Sequence, residues 1–216
     1  MTQQARSARG RSSTRDGYHH GDLREALIQA ALVLIAERGL AGFAVAELAR
    51  VVGVSSAAPY RHFRDRDAVV AEVARRGFEG LKIDMAAAIQ SAGGDVLVAL
   101  ERCAQAHLAF AARERPVYGV MFDPHFPIAT YPELLSAREE AFNLLRRAAQ
   151  AACDRSQAPR RPPPLMVALH IWSMTHGIAD LFIGQGEGGP LPTTPEELLE
   201  AGMLVYLQAL ALSPSN

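Results

Sequence analysis

The 216-residue chain carries 22 basic and 23 acidic side chains, a formal net charge of −1, and is 49% hydrophobic and 21% charged. These are globular proportions, long enough for one or two small domains, and they exclude collagen-like, disulfide-scaffold and wholly disordered classes. At face value the near-neutral total argues against a protein that grips a polyanion.

Only 6% of residues are aromatic. Ala, Leu and Val fill the gaps, and the two best helix formers among them predict an all-α chain. Residues 1–17 lack apolar periodicity and are expected to be disordered when free. They also lack the apolar segment of a secretory signal. Asp22, with Glu25 three residues on, has the form of a capping box. Leu23, Leu27, Ala30, Ala31, Leu34 and Ile35 then recur at helical spacing until Gly39. A short helix is predicted at about 45–52, with Gly53 as the turn. Ser55 would cap a second short helix through Phe63, and Asp65 a longer one over 66–90. Two short helices joined by a Gly-containing turn are a helix-turn-helix. Five further helices are predicted near 95–113, 116–122, 132–154, 163–184 and 196–212, separated by Gly- and Pro-containing breaks. The segment Leu165 to Ile183 is long enough to span a bilayer. It contains His170, His176 and Asp180, and a buried helix of a soluble, cytoplasmic protein is the better reading.

Cys103 and Cys153 are the only cysteines and form no Cys-x-x-Cys, so no zinc or dithiol redox motif is indicated. The expected helix 55–62 has the build of a DNA-reading element. Ser55, Ser56, Ala57 and Ala58 are small enough to let backbone approach backbone, and the helix start suits phosphate. Tyr60, His62 and Arg66 offer phenol, imidazole and guanidinium to the DNA backbone, while Val54 and Phe63 anchor the helix. An ordinary helical hairpin is the alternative. Pro59 forfeits a helical bond and crowds the Ser55 carbonyl, so a distorted helix start is expected.

The stretches YHHGDLREALIQAALVLIAERG and AELARVVGVSSAAPYRHFRDRDAVV together resemble the TetR family of bacterial transcription regulators. Trp172-Ser173-Met174-Thr175-His176-Gly177 is similar to the Trp-x-x-x-His-Gly signature of one C-terminal branch. The resemblance implies about nine helices: a three-helix helix-turn-helix domain over 21–81, after an arm at 1–20, and a helical effector-binding and dimerisation domain over 82–216. It implies a homodimer on a palindromic double-stranded operator, with helix 55–62 in the major groove. By motif position Ser56, Ala57 and Ala58 face bases or sugars, and Tyr60, His62 and Arg66 face phosphates. Ala46 stands where some members carry a base-reading arginine, so specificity leans on Ser55 and Ser56, thymine methyls and DNA shape. Arg6, Arg9, Arg11 and Arg15 make the arm either a DNA-tracking segment or a solubilising tail.

The resemblance further implies a cavity for a small organic effector. Cys103, His107, Phe110, Tyr118, Met121, Phe122, His125, Trp172 and His176 are its candidate lining, with core packing or a structural His176 as the alternative. Leu169, Trp172, Ile178, Phe182, Leu199, Met203, Tyr206 and Leu210 are candidates for the dimer interface. No cofactor, metal site, membrane partner or catalytic motif is indicated. The expected function is a ligand-responsive repressor, with an activator or a helical adaptor of the same fold as alternatives. Residues 1–76 hold 12 arginines against 8 acids, net +4, and residues 77–216 hold 10 basic against 15 acidic residues, net −5. The near-neutral total therefore averages a basic DNA-facing end and an acidic body. Lys82 is the only lysine, so the positive charge is nearly all arginine.

Overall fold

The computed structural model describes residues 20–40, 42–156, 162–183 and 191–209. Among them are eight α-helices: α1 His20–Arg38, α2 Val45–Val52, α3 Arg66–Ser91, α4 Val96–Arg113, α5 Arg115–Met121, α6 Pro132–Arg155, α7 Pro164–Ile183 and α8 Pro195–Ala209. Two 3₁₀ helices, Pro59–Arg61 and Ile128–Thr130, complete the regular structure, and no strand occurs among the described residues. The chain is all-α. Arg6, Arg9, Arg11 and Arg15 of the predicted arm, and Leu210, lie outside the described residues.

Local chemistry sets several of the helix ends. Asp65 accepts from the Ala68 amide at 2.8 Å and opens α3. Asp95 accepts from the Leu97 and Val98 amides at 2.9 and 3.1 Å and opens α4. The expected cap at Asp22 differs: α1 begins two residues earlier, at His20.

α1, α2 and the start of α3 share a small core of Leu27, Leu34, Leu48, Phe63 and Val70. α3 then continues without a break past residues 81 and 82 into the body, where it packs on α4, α5 and α6. The seat of α5 on α3 requires glycine. A Cβ at Gly77 would stand 2.5 Å from the Met121 sulfur and 2.7 Å from a Val117 methyl. α7 has the length and composition of a membrane span. Val167, Ala168, Ile171, Thr175, Ile178 and Ala179 nevertheless bury one of its faces, and it packs on α4, α6 and α8. α8 approaches α7 closely at Gly202, where a Cβ would come within 2.6 Å of the Met174 sulfur. A Cβ at Gly177 meets nothing within 4 Å.

Glu72, only 6% exposed, ties α1 to α3. One carboxylate oxygen accepts from Arg24 at 2.9 Å, Arg76 at 2.9 Å and Arg75 at 3.0 Å, and the other from Arg75 at 2.8 Å. Arg76 reaches on to Glu25 at 2.6 Å and Arg75 to Glu79 at 2.6 Å. Burial alone would raise the Glu72 pKa, but the bonds from Arg75, Arg24 and Arg76 outweigh it and hold the carboxyl at about 2, below its ordinary 4.5. A depressed folded pKa gives stability that is complete above the unfolded value. Glu72 should therefore stabilise fully above about pH 4.5, with the contribution lost as pH falls toward 2. Glu72→Gln is expected to cost about 3 kcal/mol by denaturant unfolding at pH 7. The gap between variant and parent should close as the pH is lowered through 4.5 to 2.

Candidate functional site

α2 ends in a Schellman motif. The Gly53 amide donates to Arg50 O and the Val54 amide to Ala49 O, with Gly53 at φ +78. The left-handed backbone turns the chain sharply and costs a Cβ-bearing residue about 1–2 kcal/mol.

The following segment corrects the expected α-helix at 55–62. Residues 56–58 form a turn and bend, and only Pro59–Arg61 is helical, as one 3₁₀ turn. The cause is Pro59. An α-helix would need its missing N–H to reach Ser55 O, and the Ala58 amide takes that carbonyl at 2.9 Å instead. The i→i+3 pattern continues with Arg61 on Ala58 O and His62 on Pro59 O. The Pro59 ring is buried, and Phe63 is 4% exposed under the Arg24 guanidinium, 5.3 Å from the ring centroid.

This turn carries the predicted contact residues outward. Ser55, Ser56, Ala57 and Ala46 are exposed, Tyr60 is 54% exposed, and Ala58 and His62 are half-buried. Arg66, expected to face phosphate, is half-buried and makes contacts within the protomer. Its guanidinium lies over the Phe43 ring, 5.1 Å from the centroid, and donates to Leu40 O and Asp67. It therefore braces the loop after α1. Sequence reasoning passed over Arg61, which is exposed beside Tyr60 and makes no ion pair among the described residues. Exposure depends on the 3₁₀ turn, and spacing alone gave no signal of it. Arg64 bonds Asp65 at 2.8 Å and the Tyr131 hydroxyl at 3.4 Å, and sits 5.6 Å from the Tyr131 ring centroid. Tyr131 precedes α6, so the reading turn touches the body directly. A cleft of about 400 Å³ lies at this junction, lined by Arg24, His62, Phe63, Arg75 and Tyr131 among others.

Two family descriptions match. Bacterial regulatory proteins, tetR family, covers residues 27–73, and the tetracyclin repressor-like C-terminal domain covers residues 100–206. The chain belongs to the TetR family. It is a DNA-binding transcription regulator. A protein of unknown function from a Rhodococcus species is similar at 29% identity and TM-score 0.77, over 91% of this chain and 100% of that one. The TetR family transcriptional regulator PfmR from Thermus thermophilus shares the fold at 22% identity and TM-score 0.65, over 84% and 97%. AibR, solved in complex with isovaleryl coenzyme A and operator DNA, does so at 16% and TM-score 0.65, over 85% and 97%. No curated protein matches the chain.

The body of this TetR-family chain brings together part of the predicted effector set. His107 is 1% exposed and its Nε2 lies 3.0 Å from the Tyr118 hydroxyl, which lies 2.8 Å from His176 Nδ1. Trp172 packs 4.6 Å from the His107 ring and Phe122 4.4 Å from the His176 ring. Burial, with the neighbouring His176, lowers the His107 pKa to about 3, and burial lowers that of His176 despite Asp180. Burial, reinforced by Asp180, raises that of Tyr118. Burial thus favours the uncharged form of each. Cys103, Phe110 and Met121 are buried, and burial pushes the Cys103 thiol up to about 12. His125 is exposed and stands apart: its amide bonds Asp123 at 2.7 Å. Among the described residues no group of three His, Cys, Asp or Glu could hold a metal ion.

The predicted interface residues divide. Ile178, Leu199 and Met203 are buried within the protomer, Trp172, Phe182 and Tyr206 are half-buried, and Leu169 is 38% exposed. Tyr206 bonds His170 at 2.9 Å, linking α8 to α7. Arg61→Ala should weaken operator binding to specific and random DNA alike. The slope of log K on log salt should fall by about 1, with the thermal midpoint unchanged. A salt titration by fluorescence anisotropy checks this.

Proposed function

We propose that this TetR-family regulator is a homodimeric, cytoplasmic repressor that a small organic effector releases from a palindromic operator. The observation that carries the reading is the pairing of an outward, basic reading turn with a buried, uncharged His107–Tyr118–His176 chain in the same protomer. The first suits phosphate and groove, and the second has no bond to make with DNA. AibR, with the same fold, has been solved with both operator DNA and an acyl thioester.

The exposed side of α7 and α8 supports dimerisation. Leu165, Met166, Leu169, Leu204 and Val205 are between 38% and 67% exposed, an apolar surface too large to leave in water. A two-fold contact through it would place two reading turns on one side of the assembly. The interface thus moves from Ile178, Leu199 and Met203, which the protomer core already uses, to these outward neighbours. The domain division proposed from sequence, 21–81 and 82–216, falls within α3, so both domains share that helix.

Effector occupancy would act through α5. Tyr118 holds the polar chain and Met121, three residues on, sits against Gly77 of α3. A shift of α5 moves α3, and with it the spacing of the two reading turns. The Arg64–Tyr131 contact adds a second route from body to turn. The effector need only bind the non-fitting arrangement more tightly than the fitting one.

Mobility shift with the promoter DNA beside the chain's own gene tests the reading, because an adaptor of the same fold would leave that DNA free. In the same assay Tyr60→Ala should weaken binding to every sequence, whereas Ser56→Ala should change preference among operators. Leu204→Glu combined with Val205→Glu should convert the dimer to a monomer in sedimentation at micromolar concentration, with helix content retained.

A further inference from the structure

The effector site can be given a chemistry. The Tyr118 hydroxyl has a single proton, so it donates to one of His107 Nε2 and His176 Nδ1 and accepts from the N–H of the other. The chain is therefore polar, and burial favours the uncharged form of each of its three members. Thr175, between Trp172 and His176 on α7, is fully buried, and its hydroxyl has no partner among the described residues. A buried hydroxyl left unbonded is destabilising.

Trp172 connects this interior to the surface. It packs against His107 on one hand. On the other it lines, with Leu135, Phe142 and Leu169, a cleft of about 320 Å³ between α6 and α7. The cleft is at the small end of the range that holds drug-sized ligands, and its charged residues, Arg138 and Glu139, are exposed. A ligand entering from the cleft meets Trp172 first and the imidazole–phenol chain behind it. Asp180, the acid that acts on Tyr118 and His176, is exposed, and among the described residues no buried counter-charge waits there, so an ionised group would lose its water without a buried partner.

We infer that the cleft and the His107–Tyr118–His176 chain form one effector site for an uncharged, ring-bearing molecule with a carbonyl or hydroxyl oxygen, and that Trp172 is its movable partition. The ring replaces or stacks on Trp172, and the oxygen joins the hydrogen-bond chain. The inference rests on the regulator reading for its regulatory consequence, whereas binding itself is measured without DNA.

Trp172 is the only tryptophan, so its fluorescence reports this site alone. Four probes built on one bicyclic ring suffice: 2-acetonaphthone, naphthalene, 2-naphthoate and 2-naphthyltrimethylammonium. Calorimetry on the full chain should show the ketone binding at least tenfold more tightly than either ion. Trp172 emission should change with the same midpoint. Tyr118→Phe should bring ketone and naphthalene affinities within about twofold of each other. His176→Leu, at the half-exposed end of the chain, is read the same way should Tyr118→Phe fail to fold. Equal or tighter binding of either ion overturns the inference. So does an unchanged ketone preference in both variants, an unmoved Trp172 emission, or no ketone binding up to its solubility limit. Failure to retain operator DNA in mobility shift would count against the regulator reading alone.

Discussion

A carboxylate that loses nearly all of its water must find donors close by, and Glu72 finds them in Arg24, Arg75 and Arg76. Arg24 comes from α1 and the other two from the same helix as Glu72. The bonds therefore fix the rotation of α1 about α3, and α1 carries one wall of the small core that holds Phe63 and the reading turn. Arg24 has a second duty, its guanidinium lying over Phe63. One buried charge thus orders both the helix pair and the first anchored residue beyond the turn. Leaving any of these charges without its partners would cost more than the network contributes as a whole.

The same helix makes the two functions mechanically inseparable. α3 starts at the Asp65 cap, directly after the reading turn, and runs on into the body past the Gly77 seat of α5. A rigid 26-residue helix transmits displacement along its length, so a change at the Gly77 seat of α5 cannot stay local. α5 is short and held largely by side-chain fit. It suits the role of moving part because it carries both Tyr118 of the polar chain and the Met121 contact with α3. Aromatic packing from Phe122 and Trp172, rather than salt bridges, surrounds the polar chain.

Much of this was legible in the chain. Apolar spacing gave the helices, and most ends fell within one or two residues of the observed ones, because Asp65, Asp95, Gly39 and Gly53 act locally. The α1 start slipped by two residues, since an acid is favourable at either the cap or the first turn. The segment 55–62 was legible only in part. Pro59 signalled distortion, but its extent depended on the competition between Ala58 and the missing Pro59 amide for one carbonyl. The surroundings of Arg66 and Arg61 were not legible, for a tertiary reason. Phe43 and Leu40 lie within reach of the first, and no acid among the described residues pairs with the second.

The sequence by itself determined the class of helices, the helix-turn-helix, the family, and the division of charge into a basic end and an acidic body, because each rests on local spacing, composition or motif. Only the tertiary structure decided which apolar residues of α7 and α8 face inward. A helix whose hydrophobic residues surround most of its circumference does not announce its core side. Only the structure, too, joined His107, Tyr118 and His176 into one chain while setting His125 apart. Those residues come from three helices, and the distance between helices is set by packing, not by position along the chain.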